Sequence, residues 1–455
     1  MQYDKALFET MPIPKAVAKN SIPAIMSMLL VFVYNVADTF FIGQTGDELQ
    51  VAAVTLSMPI FTLLIGAGVL LGVGSTSVIS RALGAGRERY AKNVSSFAFY
   101  GAIGFGLLLM VLFWTFMPIV LKVIGVTPDT YDYTRAYLNY LVVGAPFVIL
   151  SQAFSNIIRA EGRSSLAMRG MMLGSIANII LDPIFIFTFD MGLTGAAVAT
   201  VLGNILSALY FIRYLVSGRS ILSINLKDFK VTDGIMLGVL AIGIPASLNN
   251  LLLSVANIFM NNFLSNYGDI QLAAMGVAIR ANMILVFVQI GLGQGIQPLI
   301  GYCYGARNFD RLRGIIKFSS IAAICLGSVL TLIYWVLTDT IIGSFIDNKQ
   351  VIAYGTQMLR ALIISGPIVG IMFIFINVLQ GLGKAIPSLI LSISRHGLVF
   401  IPLIYLLNRI AGLNGVVYTQ PITDIVTSII GVSIYLAVMR GVKRSYGTQQ
   451  RQAGT

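Results

Sequence analysis

Residues 53–81 read AVTLSMPIFTLLIGAGVLLGVGSTSVISR, with no charged side chain before Arg81 at the end. A helix needs about 20 mostly apolar residues to cross the roughly 30 Å hydrocarbon layer of a bilayer, and this stretch exceeds that length. Reading outward for similar runs gives twelve, at approximately 18–42, 53–81, 95–121, 133–158, 166–189, 195–217, 236–265, 272–302, 314–338, 352–380, 387–407 and 415–439. Short connections carry turn residues, such as Gly84-Ala85-Gly86-Arg87 and Gly381-Leu382-Gly383-Lys384. No stretch is long and polar enough for a separate soluble domain.

Composition agrees. Of 455 residues, 57% are hydrophobic and 11% charged, against about 25% charged in an ordinary soluble domain. A soluble enzyme, a disordered chain and a disulfide scaffold are excluded. Two cysteines, Cys303 and Cys325, are too few for a framework, and one histidine, His396, leaves no room for a histidine-rich metal site. The net charge of +12 reads as loop charge, not as a nucleic-acid footprint, because excess Lys and Arg marks the cytoplasmic loops of membrane proteins. Met1 to Lys19 lacks the apolar core of a cleavable signal. Sorted by side, 23 of the 30 basic residues fall on one face and four on the other. The positive-inside rule then places both termini in the cytoplasm.

The chain also repeats itself. Shifted by about 221 residues, Ile22-Pro23-Ala24 meets Ile244-Pro245-Ala246, and Gly46-Asp47 meets Gly268-Asp269. Gly72, Gly74 and Gly84 meet Gly293, Gly295 and Gly305; Pro146, Phe154, Asn156 and Gly162 meet Pro367, Phe375, Asn377 and Gly383. Six spans per half is an even number, so both halves enter from the same side, as parallel repeats do. The expected fold is an all-α polytopic membrane protein with twelve transmembrane helices in two pseudo-symmetric six-helix lobes. Residues 1–217 form the first lobe, 218–233 a cytoplasmic linker, 234–440 the second lobe and 441–455 a cytoplasmic tail. Two lobes around a cleft suit a rocking secondary transporter. No GxxxxGK[ST] phosphate loop appears to power an ATP motor.

An ionisable group at membrane depth costs at least about 2.5–3.5 kcal/mol on insertion scales, so each asks for a partner or a function. Three acids fall within the expected spans: Asp38, Asp182 and Asp424. Tyr34 lies one turn below Asp38, and Asn178 one turn below Asp182. Pro183 removes a backbone donor and frees a carbonyl beside that carboxylate. Counting inward from the helix ends puts Thr200 and Tyr137 at a similar depth. Two carboxylates in an apolar setting do not both stay charged cheaply, which suits a site that takes up and releases a proton. Hard oxygen ligands would serve a sodium ion equally. The plain alternative is that these groups tie helices together by hydrogen bonds.

Asp424 on the twelfth span lies near the depth of Arg395 on the eleventh, the pattern of a structural ion pair bracing the second lobe. Arg280 and Arg360 have no acidic neighbour readable from the sequence, and face the aqueous cleft or snorkel. His396 reads as a packed, hydrogen-bonded group. Methionines and aromatics mostly pack the helices; those on the cleft would give a soft wall, where aromatic faces attract a lipophilic cation.

Ala37-Asp38-Thr-Phe-Phe-Ile-Gly43, Gly72-Val-Gly74 with Ser80-Arg81-Ala-Leu-Gly84-Ala-Gly86, and Asn178-Ile-Ile-Leu-Asp182-Pro183 resemble the multidrug and toxic compound extrusion (MATE) transporters, over essentially the whole chain. The later segments look most like the family's bacterial MepA-like branch. The resemblance implies export of cationic amphipathic compounds from the bacterial inner membrane, driven by proton or sodium entry. It implies no cofactor beyond that transported ion, no resident metal, no enzymatic activity and no nucleic-acid partner. The expected partners are small cationic substrates and the lipid bilayer around a monomer. Asp38, Asn178, Asp182, Thr200, Tyr34 and Tyr137 fall on the family's cation-site pattern. Asn156, Arg280 and Asn377 are candidates for the substrate cleft. Pro23 falls where some members bend the first helix; a helix-start proline is the alternative. Where some members carry acids in the seventh and tenth spans, this chain has Asn249, Asn250, Asn257, Asn377 and Gln380, which argues against a second-lobe sodium site. The nearest rival is a flippase for lipid-linked saccharides, but that cleft would need several basic residues and only Arg280, Arg360 and Arg395 are available. An intramembrane enzyme would need a nucleophile and base, or a metal site, at one depth.

Overall fold

The computed structural model describes residues 4–453, with side chains through residue 441; it is built almost wholly of helix, with no strand among the described residues. A short helix, Lys5–Glu9, is capped by Asp4, whose carboxylate accepts from Leu7 N. The first three spans are Ile13–Gly43, Glu48–Gly84 and Glu88–Thr115. The fourth is Tyr131–Val143 with Ala145–Ile157, the fifth Ser164–Pro183 continued by a wide π turn through Thr188, and the sixth Gly192–Val216. The seventh to ninth are Ile235–Ser265, Asp269–Gly305 and Phe309–Gly343, and the tenth is Lys349–Ile363 with Gly366–Gly381. The last helical stretch, Ala385–Gly441, is two spans, because Gly412 (φ 56°, ψ −132°) breaks it. Twelve spans result among the described residues, within about five residues of the limits expected from sequence for most ends.

Two expected spans are not straight. The halves of the fourth meet at 55° and those of the tenth at 50°. Each second half opens with a proline, Pro146 or Pro367, in its first turn. A proline there offers no N–H to the preceding turn and its ring crowds that turn's carbonyl. The two prolines are mates in the repeat, so the bend was duplicated with the sequence. Pro23, by contrast, lies inside an unbroken first helix that begins ten residues earlier at Ile13, so it is no helix-start proline.

The halves interlock reciprocally. The first span packs chiefly against the eighth and the second against the seventh, while the first and second, like the seventh and eighth, barely meet. The second and eighth cross at their basic ends so closely that a Cβ on Gly84 would overlap the Tyr302 carbonyl, and one on Gly305 the Arg81 carbonyl. Among the described residues, the hydrogen bonds between lobes gather in this half of the bundle. Asn20 Nδ2 donates to Gly295 O (2.6 Å), Ser21 Oγ to Leu292 O (3.3 Å), and Ser77 Oγ to Gln380 O. Arg159 Nη1 reaches Gln294 Oε1 at 2.6 Å. The lobes are thus locked at the face that carries most of the basic residues.

The linker is fastened to the first lobe. Glu161, a buried acid at the end of the fourth span to which sequence assigns no role, accepts from Ser220 Oγ (2.7 Å), Ile221 N (2.7 Å), Leu222 N (3.2 Å) and Tyr214 Oη (3.0 Å). Four donors meet the desolvation cost of this buried carboxylate.

Candidate functional site

The fifth and sixth spans form an antiparallel pair drawn together by glycine: a Cβ on Gly174 would strike the Gly203 carbonyl, and one on Gly203 the Gly174 carbonyl. Small residues at a crossing let membrane helices approach closely. One turn along each helix from this contact, Asn178 and Thr200 face each other. Asn178 Nδ2 donates to Thr200 Oγ1 and to Asp182 Oδ1, both at 3.3 Å. Asp182 is fully buried, and beyond it Pro183 and the wide turn Ile184–Thr188 replace regular helix.

Asp38, also buried, comes from the first span and shares a cavity wall with Thr200, which Asn178 links to Asp182. A small cavity is lined by Asp38, Tyr34, Asn35, Ser57, Tyr137 and Thr200 among others. A second continues inward past Tyr34, Phe61, Gln152, Asn178, Thr200 and Asn204. Tyr34, Phe61 and Thr200 line both. Five of the six residues expected at one depth therefore wall two adjoining chambers, and the sixth, Asp182, is hydrogen-bonded to that wall. Asp38 Oδ1, Asp182 Oδ2 and Asn178 Oδ1 are buried with no hydrogen-bond partner among the described residues. All three are acceptors, and among the described residues no basic side chain lines either chamber. Such a set favours a proton or a small hard cation, since a buried carboxylate without a counter-charge costs several kcal/mol.

Gln152, Asn204, Ser175 and Ser207 also line the inner chamber and are not among the candidates read from sequence. Thr200, Asn204 and Ser207 fall at i, i+4 and i+7 on one face of the sixth span, a signal that the sequence does contain. Asn204 is already engaged: its Oδ1 accepts from Ser151 Oγ (2.7 Å) and its Nδ2 donates to Thr200 O (2.9 Å).

The remaining candidates lie elsewhere. Asn156 and Asn377 line neither chamber; each is buried against a glycine of its own lobe, Gly72 and Gly293, and donates to the backbone one turn back. Asn156 also accepts from Arg159 at 3.3 Å, joining the lock between lobes. Arg280 is exposed and makes no ion pair among the described residues. Arg360 departs from the expectation: it has an acidic neighbour, Asp339, at 3.7 Å, and stands over the Trp335 ring. The ninth helix runs on to Gly343, which carries Asp339 within reach. Arg395 Nε donates to Asp424 Oδ1 at 2.9 Å, with both side chains buried. Ser365 and Gln420 complete the Asp424 carboxylate at 3.1 and 3.0 Å, and the guanidinium lies 4.8 Å from the Phe373 centroid. His396 is buried as expected, but its Nδ1 has no hydrogen-bond partner among the described residues. No group of three or more His, Cys, Asp or Glu gathers as for a metal among the described residues.

Against known proteins, the MatE family model matches twice, at residues 23–184 and 245–406, once in each half. The chain is 33% identical to the multidrug export protein MepA of Staphylococcus aureus (strain NCTC 8325 / PS 47), over 92% of each chain. It is 32% identical to MepA of Staphylococcus saprophyticus over 94% of each. Among solved structures, it superposes with a TM-score of 0.91 on the outward-facing conformation of a multidrug resistance MATE family transporter, at 26% identity, covering 97% of this chain and 98% of that one. With a twofold match to the family model and relatives alike along almost the whole length, this chain belongs to the MATE family of multidrug efflux transporters.

Proposed function

We propose that this chain is an antiporter of the bacterial inner membrane, with both termini cytoplasmic, that exports cationic amphipathic compounds in exchange for protons or sodium ions. The observation that carries the reading is the pair Asp38 and Asp182, buried in one lobe with oxygens unpartnered and no counter-charge among the described residues, while Asp424 in the other lobe is neutralised by Arg395. The basic face, where the lobes are locked, is the cytoplasmic one by the positive-inside rule, which supports a release route on the opposite, outer side. An entering cation held by the two aspartates would favour release of cargo on that side. A one-for-one exchange of monovalent cations is electroneutral and draws on the entering ion's concentration gradient, while each further charge entering down 100 mV adds about 2.3 kcal/mol. Against a saccharide-lipid flippase stands the engagement of Arg360 and Arg395 with Asp339 and Asp424, which leaves Arg280, of those three arginines, without an acid among the described residues.

Proteoliposomes loaded with a cationic dye test this. Dye movement against its gradient on imposing a pH or sodium gradient is expected in the parent protein and absent in Asp182→Asn. Removing sodium at fixed pH separates the two ions. Undiminished export by Asp182→Asn would refute the coupling role.

A further inference from the structure

The repeat creates two equivalent niches at the basic face, and the chain fills one of them more fully than the other. Between the end of the eighth span, the start of the ninth and the start of the first lie residues 4–11. Arg311 Nη2 donates to Leu7 O (3.0 Å) and Met11 O (2.7 Å), and Tyr302 Oη to Glu9 Oε1 (2.7 Å). Phe8 stacks on Tyr302 with centroids 4.5 Å apart. An arginine and a tyrosine thus clasp oxygen acceptors, one of them a carboxylate.

The equivalent niche lies between the end of the second span, the start of the third and the start of the seventh. At the repeat offset Tyr302 falls on Arg81 and Arg311 on Tyr90, the same two side-chain types with their places exchanged. They line a pocket with Arg87, Asp233 and Gly234, which the linker enters only as far as the Asp233 carbonyl, held by Tyr90 Oη as its repeat mate Met11 O is held by Arg311. Arg81 Nε donates to Ser77 O at 3.0 Å, and Arg87 stands 5.5 Å from the Tyr90 centroid. Neither arginine has an ion-pair partner among the described residues. The one acid in the described lining, Asp233, is 3.6 Å from Lys230, and its carbonyl accepts from Tyr90 Oη at 3.2 Å. Met236 and Leu237, just beyond Gly234 at the start of the seventh span, are exposed apolar side chains.

We propose that this second niche binds a phosphate-bearing anion, supplied by the headgroup of an anionic phospholipid. Guanidinium groups match phosphate oxygens with paired, charge-assisted hydrogen bonds, and basic pockets between membrane helices are suited to lipid headgroups. The niche joins the second and third spans of one lobe to the seventh of the other, so its ligand braces the locked face.

Native mass spectrometry of the full chain, released from vesicles of phosphatidylglycerol and phosphatidylcholine, reads the site. The parent protein should retain phosphatidylglycerol about tenfold over phosphatidylcholine. Arg87→Gln should lower that preference about tenfold, on the scale of one hydrogen bond to a charged group. Arg81 also packs against Gly383, so the exposed Arg87 is the deciding position should Arg81→Gln misfold. Arg169→Gln, an exposed arginine away from the niche, should change nothing. Inorganic phosphate added in millimolar excess separates the sources. Displacement of retained lipid supports the headgroup assignment, while stabilisation by phosphate without lipid preference keeps the anion site but makes its ligand soluble. Equal retention of both lipids with no phosphate effect, or equal loss in Arg87→Gln and Arg169→Gln, overturns the proposal.

Discussion

The two lobes descend from one sequence and treat buried charge in opposite ways. In the first, the crossing of the fifth and sixth spans is made of bare glycines, Gly174 and Gly203, and the acids Asp38 and Asp182 stand nearby without a cation among the described residues. In the second, the crossing of the eleventh and twelfth spans falls at nearly the same place in the repeat, and there Arg395 and Asp424 bond directly. One lobe keeps its charge unsatisfied and the other cancels it. The duplicated halves thus differ in a handful of polar side chains and in where the helix widens, at Ile184–Thr188 in the fifth span and at Ser394–Leu398, around Arg395, in the eleventh.

The contrast can be broken most decisively at Asp182. Asp182→Asn should reduce gradient-driven dye export at least a hundredfold in proteoliposomes while the protein stays folded, because the amide removes the carboxylate through which the fifth span would hold a cation. Next comes the opposite lobe. Arg395→Met leaves Asp424 buried and uncompensated, at a cost of about 3–5 kcal/mol, whereas adding Asp424→Leu should recover most of it; thermal unfolding in detergent measures both. If the single variant melts like the parent, the second lobe does not depend on its ion pair.

A smaller effect is expected at the shared lock. Gly305→Val forces a side chain into the Arg81 carbonyl, a strain of about 1–3 kcal/mol against the closed face. Thiol labelling of cysteines placed on that face should rise in proportion. Glu161→Gln should weaken the linker attachment by about 1–2 kcal/mol, read as faster proteolysis within 218–233. Smallest of all, Thr200→Val removes one intramembrane hydrogen bond worth about 0.6 kcal/mol, less than a threefold change in cation affinity. A loss on the scale of Asp182→Asn would show instead that Thr200 holds the cation directly.

Much of this is legible in the sequence because a membrane helix rises a fixed distance per residue, so counting from an end fixes depth. That arithmetic assembles Tyr34, Asp38, Tyr137, Asn178, Asp182 and Thr200. It fails where helices bend or overrun. Pro146 and Pro367 look like residues inside continuous spans, since hydropathy carries no information about axis direction. Asp339 looks like a loop residue because the ninth helix continues beyond its apolar run. Glu161 escapes for a related reason: half its donors are backbone amides of the linker, which have no signature in residue type. Gln152 and Asn204 do not stand out because isolated polar side chains in membrane helices are so often packing.

The reciprocal clasp of the halves bears on how the molecule is made. When the ribosome has delivered six spans, the second helix has yet to meet the seventh and the first has yet to meet the eighth, so Gly74 and Gly84 lie bare toward lipid. Half a chain is in this sense not half a protein. The newborn front end must wait in the bilayer, its polar Asn20 and Ser77 short of the backbone carbonyls that later receive them, until the rear end arrives. A cell lacking the last six spans should destroy the first six rapidly, and co-expressing the missing half as a separate chain should spare them.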